Sequence, residues 1–263
     1  MTDFEKSIKR EMTREKFLEI RDHKYGYGIN ILKYTYGQVS SWLTWNRDEK
    51  GDIAKVDPPD PIFIRRKAYY DGPIDNWDKD KPPAFSSKLT TDIVFLGLNM
   101  ADEGKPLDWD GPADESTPPK GPLFQNARGV KRIVDTFSNT AAEGAYFTDI
   151  IKPDRRILEK VGKKADAKEF MRIVKTLPGV RNEHIRLFLE ELVFIGAVKP
   201  LLIVFGNDAD WILRQGMSEK NLTERFHAVV KIGHYSPTNA VKGGDEGYRR
   251  ETREDLVRFI TIP

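Results

Sequence analysis

The 263 residues include no cysteine, and that absence removes several chemistries at once: disulfides, thiolate zinc sites, iron–sulfur clusters and cysteine nucleophiles. No apolar run approaches the roughly 20 residues of a membrane-spanning helix. The opening Met1-Thr2-Asp3-Phe4-Glu5-Lys6 lacks the basic-then-apolar order of a signal peptide, so the expected location is the cytosol, with no membrane partner. There is no Gly-x-Ser-x-Gly elbow, which argues against a serine hydrolase of small molecules. An excess of one charge is missing too. With 43 Lys and Arg against 41 Asp and Glu, the net charge of +2 permits nucleic-acid binding without arguing for it, and any basic stripe has to be local. The chain has no internal repeats.

The composition that remains is that of an ordinary globular protein, 32% charged and 39% hydrophobic. Its length suits one large α/β domain or two small ones with a sizeable core. Residues 3–22 place Phe4, Ile8, Met12, Phe17, Leu18 and Ile20 among charges at helical spacing, which predicts one or two amphipathic helices broken near Thr13. An aromatic stretch follows, from Tyr25 and Tyr27 through Tyr34 and Tyr36 to Trp42 and Trp45. Rings on a polar background can stack on bases; the plainer reading is an N-terminal helix pair laying its rings on the core. Residues 46–90, rich in Asp, Lys and Pro, read as an irregular covering segment.

From residue 91 strands alternate with helices, the pattern of a parallel sheet covered on both faces. The strands are 92–96, 145–151, 201–205 and 228–232. A long Gly/Pro/Asp loop, 102–122, leads to Gly121-Pro122-Leu123-Phe124-Gln125-Asn126 and a helix carrying Val130, Ile133, Val134 and Phe137. Pro178-Gly179 reads as a loop signal, and helix 183–196 presents Ile185, Phe188, Leu189, Leu192 and Ile195 as one stripe. Asp208 reads as a helix N-cap after the third strand, and a charged helix over about 247–260 closes the chain. The expected fold is α/β: a three-layer αβα sandwich around a short, mainly four-stranded parallel sheet, with residues 1–90 as a helical and irregular extension packed on a 91–263 domain.

Three strands end in polar groups, Asn99, Asp149 and His234, and a parallel sheet puts all three on one edge. Gly97, in Gly97-Leu98-Asn99-Met100-Ala101, lets backbone approach a ligand, while the Asn99 amide can orient a water. Phe124 can stack on a planar ligand, a neutral His234 can donate to a carbonyl, and Asp149 can accept from an N–H. The set describes a pocket for an extruded nucleobase better than one for a phosphate, metal or sugar. Each residue also has a plain structural reading: Asn99 as a turn residue, His234 as a satisfied strand-end histidine, Phe124 as a core ring. Asp149 stands evenly between specificity determinant and structural acid.

The segment from about 91 to 260 resembles the uracil-DNA glycosylase superfamily. Gly97-Leu98-Asn99-Met100-Ala101 is similar to its first motif, whose Asn positions the hydrolytic water. Gly121-Pro122-Leu123-Phe124 is similar to the segment whose Phe stacks on the extruded uracil, and Tyr146 to Pro153 to the strand whose terminal Asn reads the uracil edge. Glu190-Glu191-Leu192 through Pro200, then Val204-Phe205-Gly206-Asn207-Asp208-Ala209, follows the helix–strand–Gly-x-x-Ala spacing of the iron–sulfur branch, whose cysteines are absent. Gly233-His234-Tyr235-Ser236-Pro237 resembles the closing motif, whose His bonds uracil O2. Met100 and Tyr235 stand where the family has proline, and Asp149 stands where it has Asn.

The resemblance implies excision of a uracil-like, deaminated or modified base from DNA by N-glycosidic hydrolysis, as a step of base-excision repair. Asn99 and His234 are then the catalytic residues, and Gly97, Leu98, Met100, Phe124, Asp149 and Ser236 bind substrate. No metal, iron–sulfur cluster or other cofactor is implied. The partner is DNA containing a damaged or modified base. An ionised Asp149 can only accept hydrogen bonds, so either burial protonates it or the preferred base presents an amine or N–H there. Lys152, Arg155, Arg156, Lys160, Lys163 and Lys164 form a basic run suited to phosphates or to a solvated face. Thr238 sits where the family's large wedge residue stands, which is compatible with single-stranded or mismatched DNA. The alternative function is a non-catalytic relative that binds a nucleobase or DNA.

Overall fold

Four short runs of Val, Ile, Leu, Phe and Ala form the centre of the structure, a computed structural model describing residues 1–10, 12–25, 34–36, 40–43, 86–99, 127–152, 154, 167–235 and 242–262. The runs are β4 (Thr90–Asn99), β5 (Ala145–Ile151), β6 (Leu201–Phe205) and β7 (Ala228–Ile232). In β5 and β6 every residue is buried, as expected of parallel strands covered on both faces. The preceding strands are β1 (Lys24–Tyr25), β2 (Tyr34–Thr35) and β3 (Ser40–Trp42). β1 and β2 form a separate antiparallel pair, whereas β3 joins the main sheet.

The main sheet runs β3-β5-β4-β6-β7, with β3 antiparallel to β5 and the other pairs parallel. The expected four-stranded parallel α/β sheet is therefore present, with one antiparallel edge strand added from the N-terminal segment. β5 lies on one side of β4 and β6 on the other. That reversal makes a switch point beside the carboxyl end of β4, where crossover connections leave in opposite directions and open a crevice.

The helices are α1 (Asp3–Ser7), α2 (Arg14–Asp22), α3 (Ala127–Phe137), α4 (Ala167–Thr176), α5 (Pro178–Phe194), α6 (Gly206–Gly216), α7 (Glu219–Arg225) and α8 (Gly244–Leu256). Helices α2, α4, α5 and α6 share one core with Val94, Leu96, Tyr146, Leu202 and Val204. On the other face α3 and α8 enclose Ile93, Phe95, Phe147, Ile203 and Phe205, with Phe4 and Ile8 packed against them. Alternation along each strand divides the sheet's side chains between the two cores. No helix among the described residues is long and apolar enough to cross a membrane.

The break near Thr13 is a capped helix start, since the Thr13 hydroxyl accepts the Lys16 backbone N–H. The N-terminal helix pair is present as α1 and α2, and the aromatic stretch follows it. Tyr36 and Trp42 do enter the core, and among the described residues Tyr25, Tyr34 and Trp42 lie in the short strands β1, β2 and β3, with Trp42 meeting Tyr146 edge-on at 5.0 Å; Tyr27 and Trp45 lie outside the described residues. Pro178-Gly179 opens α5 rather than a loop, with the proline at the first helical position, where its missing N–H costs nothing. Asp208 sits in the first turn of α6 and caps nothing; the residue at the cap position is Phe205.

Candidate site at the carboxyl edge of the sheet

Register places the ends of β4 and β5 side by side: Gly97 opposite Asp149, and Asn99 opposite Ile151. Asp149 is the centre of this edge. Its side chain is buried, and Oδ2 has no hydrogen-bond partner among the described residues. A Cβ placed on Gly97 would lie 2.1 Å from Asp149 Oδ1. The glycine thus makes room for the carboxyl group, a different use from the ligand approach read from the sequence. Burial pushes the Asp149 carboxyl up to about 7, with Lys152 opposing the shift and Glu191 adding to it.

His234 and Tyr235 follow β7. Their rings stack at 4.6 Å with 19° between planes, and Tyr235 meets Phe205 edge-on at 5.0 Å. Gly206, at φ +80°, lies under His234: a Cβ there would be 3.4 Å from His234 Cβ, so glycine serves both the left-handed backbone and the close approach. Burial pulls the half-buried His234 below its ordinary value despite the Asp208 charge, which favours a neutral imidazole at pH 7. Burial and the charge of Asp149 both push the Tyr235 phenol upward, so it stays protonated. Arg132 of α3 holds this loop from behind. It donates through Nη1 to the Tyr235 carbonyl at 3.4 Å and pairs with Asp245 of α8 at 2.7 Å.

The opposite face of β5 carries a separate polar cluster. Lys152 Nζ lies 2.5 Å from Glu191 Oε2 and donates to the Thr148 hydroxyl, which in turn donates to Glu191. The Tyr146 phenol donates to Glu191 Oε1 at 2.7 Å. The Lys152 backbone N–H donates to His184 Nδ1 at 3.2 Å, which leaves Nε2–H to reach Asp154 Oδ2 at 3.1 Å. Lys152, with its side chain 1% exposed, is therefore an internal ion-pair partner and no phosphate ligand, contrary to the basic-run reading. Arg155, Arg156, Lys160, Lys163 and Lys164 lie outside the described residues.

Among the other sequence candidates, Leu98 is half-buried against the α5-side core, and that packing explains its apolar character. Asn99, read from sequence as lying past a strand that ends at Leu96, is instead the last residue of β4, because pairing with β5 carries the strand through Gly97. Met100, Phe124, Ser236 and Thr238 lie outside the described residues. The structure thus brings Gly97 and Asp149 into contact, with Asn99 two residues beyond on β4, and sets Tyr235, read from sequence only as a departure, within electrostatic reach of Asp149. Glu191 was legible as a charged residue in the middle of the Phe188–Leu192–Ile195 stripe, a position that requires a buried partner.

A cavity of about 420 Å³ lies at the opposite edge, bordered by Phe4, Met12, Leu89, Ile195, Lys199 and His227. It is far from the switch point and has no buried carboxyl or histidine pair converging on it, so the carboxyl edge remains the candidate site. No group of three or more His, Asp or Glu among the described residues is arranged to hold a metal ion. The chain matches no family model, no curated protein and no solved structure.

Proposed function

We propose that the protein is a monofunctional DNA glycosylase, a hydrolase that cleaves the N-glycosidic bond of a uracil-like, deaminated or modified base extruded from DNA. The observation that carries this reading is a shared carboxyl edge: β4 ends at Asn99, the orphaned Asp149 carboxyl lies on neighbouring β5, and Tyr235, stacked on His234 after β7, lies within electrostatic reach of Asp149. The ordered resemblance to the uracil-DNA glycosylase motifs supports it, with DNA as partner and base excision as the process.

In the proposed reaction the C1′–N bond breaks and its electron pair leaves with the base. A water oriented by the Asn99 amide adds its oxygen to C1′ and gives its proton to solvent. His234 donates a hydrogen bond to a carbonyl oxygen of the departing base, where negative charge develops. The neutral imidazole suits this role, because it keeps one ring N–H to donate and places no charge in the buried site. Asparagine orients water and does not deprotonate it, so turnover is modest and depends on a good leaving group.

Oligonucleotides bearing uracil, hypoxanthine, xanthine and modified cytosines, incubated with the protein and then treated with alkali, test the reading. Strand scission on at least one substrate, lost in Asn99→Ala, is expected. Tight binding with no scission on any of them would replace the hydrolase with a nucleobase-binding relative.

A further inference from the structure

We propose that the cavity at the amino edge of the sheet is a second binding site, for a small amphipathic carboxylate with an aliphatic or aromatic body. The inference is independent of the proposed function, since no residue of the carboxyl edge takes part in it.

The walls come from distant parts of the chain. Phe4, Ser7, Lys9, Met12 and Lys16 belong to the N-terminal segment, and the start of β4, the end of α5 and the start of β7 face them. Polar bonds fasten that segment along its length. The Glu5 carboxylate accepts the Thr261 backbone N–H at 2.8 Å, and Arg10 donates to the carbonyls of Lys88, Ala141 and Glu143. The Lys9 backbone N–H donates to Asp92 Oδ2 at 2.6 Å, and Lys16 Nζ donates to the Phe194 carbonyl at 2.8 Å. On the other wall, the register of β4 against β5 jumps between Thr90 and Val94, so Thr91 and Asp92 leave the ladder and border the cavity. The space of about 420 Å³ is thus framed by anchored elements, and its size is that of a small-molecule pocket.

The lining is divided in character. Phe4, Met12, Leu89 and Ile195 offer apolar surface, and the Phe4 and His227 rings stack at 4.7 Å with 27° between planes. Lys9, Lys16 and Lys199 bring three ammonium groups against one carboxylate, Asp92, which already accepts the Lys9 N–H. Lys16 is engaged by Glu19, whereas Lys9 and Lys199 have no ion-pair partner among the described residues. Lys199 is also held at φ +55°, a left-handed conformation that is unfavourable for lysine and suits glycine. An anionic ligand accounts for a strained, unpaired cation beside an apolar cavity.

The surroundings favour a single negative charge. Helix α5 ends here, with Ile195 and Gly196 in the lining, and a helix C-terminus carries partial negative charge. Together with Asp92 it penalises a doubly charged phosphate, and among the described residues no arginine lines the cavity to grip one. A carboxylate near the lysines, with its body against Phe4, Met12 and Ile195, matches both halves of the lining.

Octanoate tests the site on the full chain, with octanol as the tail without charge and acetate as the charge without a tail. By titration calorimetry octanoate is expected to bind with a dissociation constant of about 1 mM or tighter. Octanol and acetate are each expected to bind at least about tenfold more weakly. In protein carrying carbon-13 methionine methyls, octanoate is expected to shift the Met12 signal and leave those of Met171 and Met217, buried in the core, in place. Lys199→Gly removes the cation and relieves the left-handed backbone. Its thermal midpoint is expected to equal or exceed the parent's while octanoate affinity falls about tenfold. Lys9→Gln keeps the backbone bond to Asp92 and is expected to lose a similar factor. Octanol binding as tightly as octanoate makes the cavity a plain apolar pocket and overturns the proposal. So does a failure of octanoate to bind at about 10 mM, a Met12 signal that it does not move, or an unchanged affinity in both lysine variants.

Discussion

The two faces of β5 handle buried charge in opposite ways. Toward α5, Tyr146, Thr148 and Lys152 converge on Glu191, both oxygens of which are engaged. Toward the α3 and α8 layer, Asp149 is equally buried and its Oδ2 has no partner among the described residues. A fold can retain a satisfied buried ion pair for structural reasons alone. An orphaned carboxyl beside a switch point works against stability, and its presence there argues for a ligand.

The comparison is broken most forcefully from the satisfied side. Glu191→Ala leaves Lys152, Tyr146 and Thr148 without their common acceptor, and a cost of about 3–5 kcal/mol is expected from urea denaturation. The double variant Glu191→Leu with Lys152→Met removes both charges and should recover much of that loss. If the double variant is as unstable as the single, the cluster is not behaving as one ion-pair unit.

The orphaned side responds with the opposite sign. The folded value of Asp149, about 7, lies above the ordinary 3.8, so between those values the native state holds a proton that the unfolded chain releases. The stabilisation is complete below about pH 4 and disappears as the pH rises through 7. Asp149→Asn cannot ionise and escapes this loss. Its stability relative to the parent is expected to rise between pH 5 and pH 8, by an amount on the order of a few kcal/mol. Equal urea midpoints for the two proteins at both pH values would show that Asp149 carries no such penalty.

How much of this was legible follows from the distance over which each residue finds its partners. The four parallel strands are short apolar runs whose burial is local to the sequence; 145–151, 201–205 and 228–232 were readable as they stand, while the 92–96 reading caught only the apolar centre of a strand that runs from Thr90 to Asn99. β3 was not, because Ser40–Trp42 has no strand pattern of its own and acquires its conformation by pairing with β5, about a hundred residues later. The first turn of α5 was hidden by a Pro-Gly pair that punctuates most chains but is compatible with a helix start. At the site, strand ends located Asn99, Asp149 and His234. The role of Lys152 was not readable from its neighbours, since a lysine next to arginines looks solvated until Glu191 folds against it. The contact between Gly97 and Asp149 depends on register, which sequence patterns do not give between strands fifty residues apart.

That register supplies a sharper test with a smaller effect. Gly97→Ala places a methyl 2.1 Å from Asp149 Oδ1, and the carboxyl has to move. A destabilisation of about 1–3 kcal/mol is expected, in the range for overpacking a filled site. Once Asp149→Ala has removed the obstructing oxygen, the same glycine substitution should cost less than about 1 kcal/mol. The difference between the two backgrounds is the coupling energy of the pair, obtained from a double-mutant cycle. A near-zero coupling would mean that the glycine is required by backbone conformation alone and that the carboxyl does not occupy its space. A coupling of 1 kcal/mol or more would tie Gly97 to Asp149 as a single unit. Strands β4 and β5 would then have been selected for side-chain room on the α3 and α8 face, while on the other face the same stretch of β5 is filled.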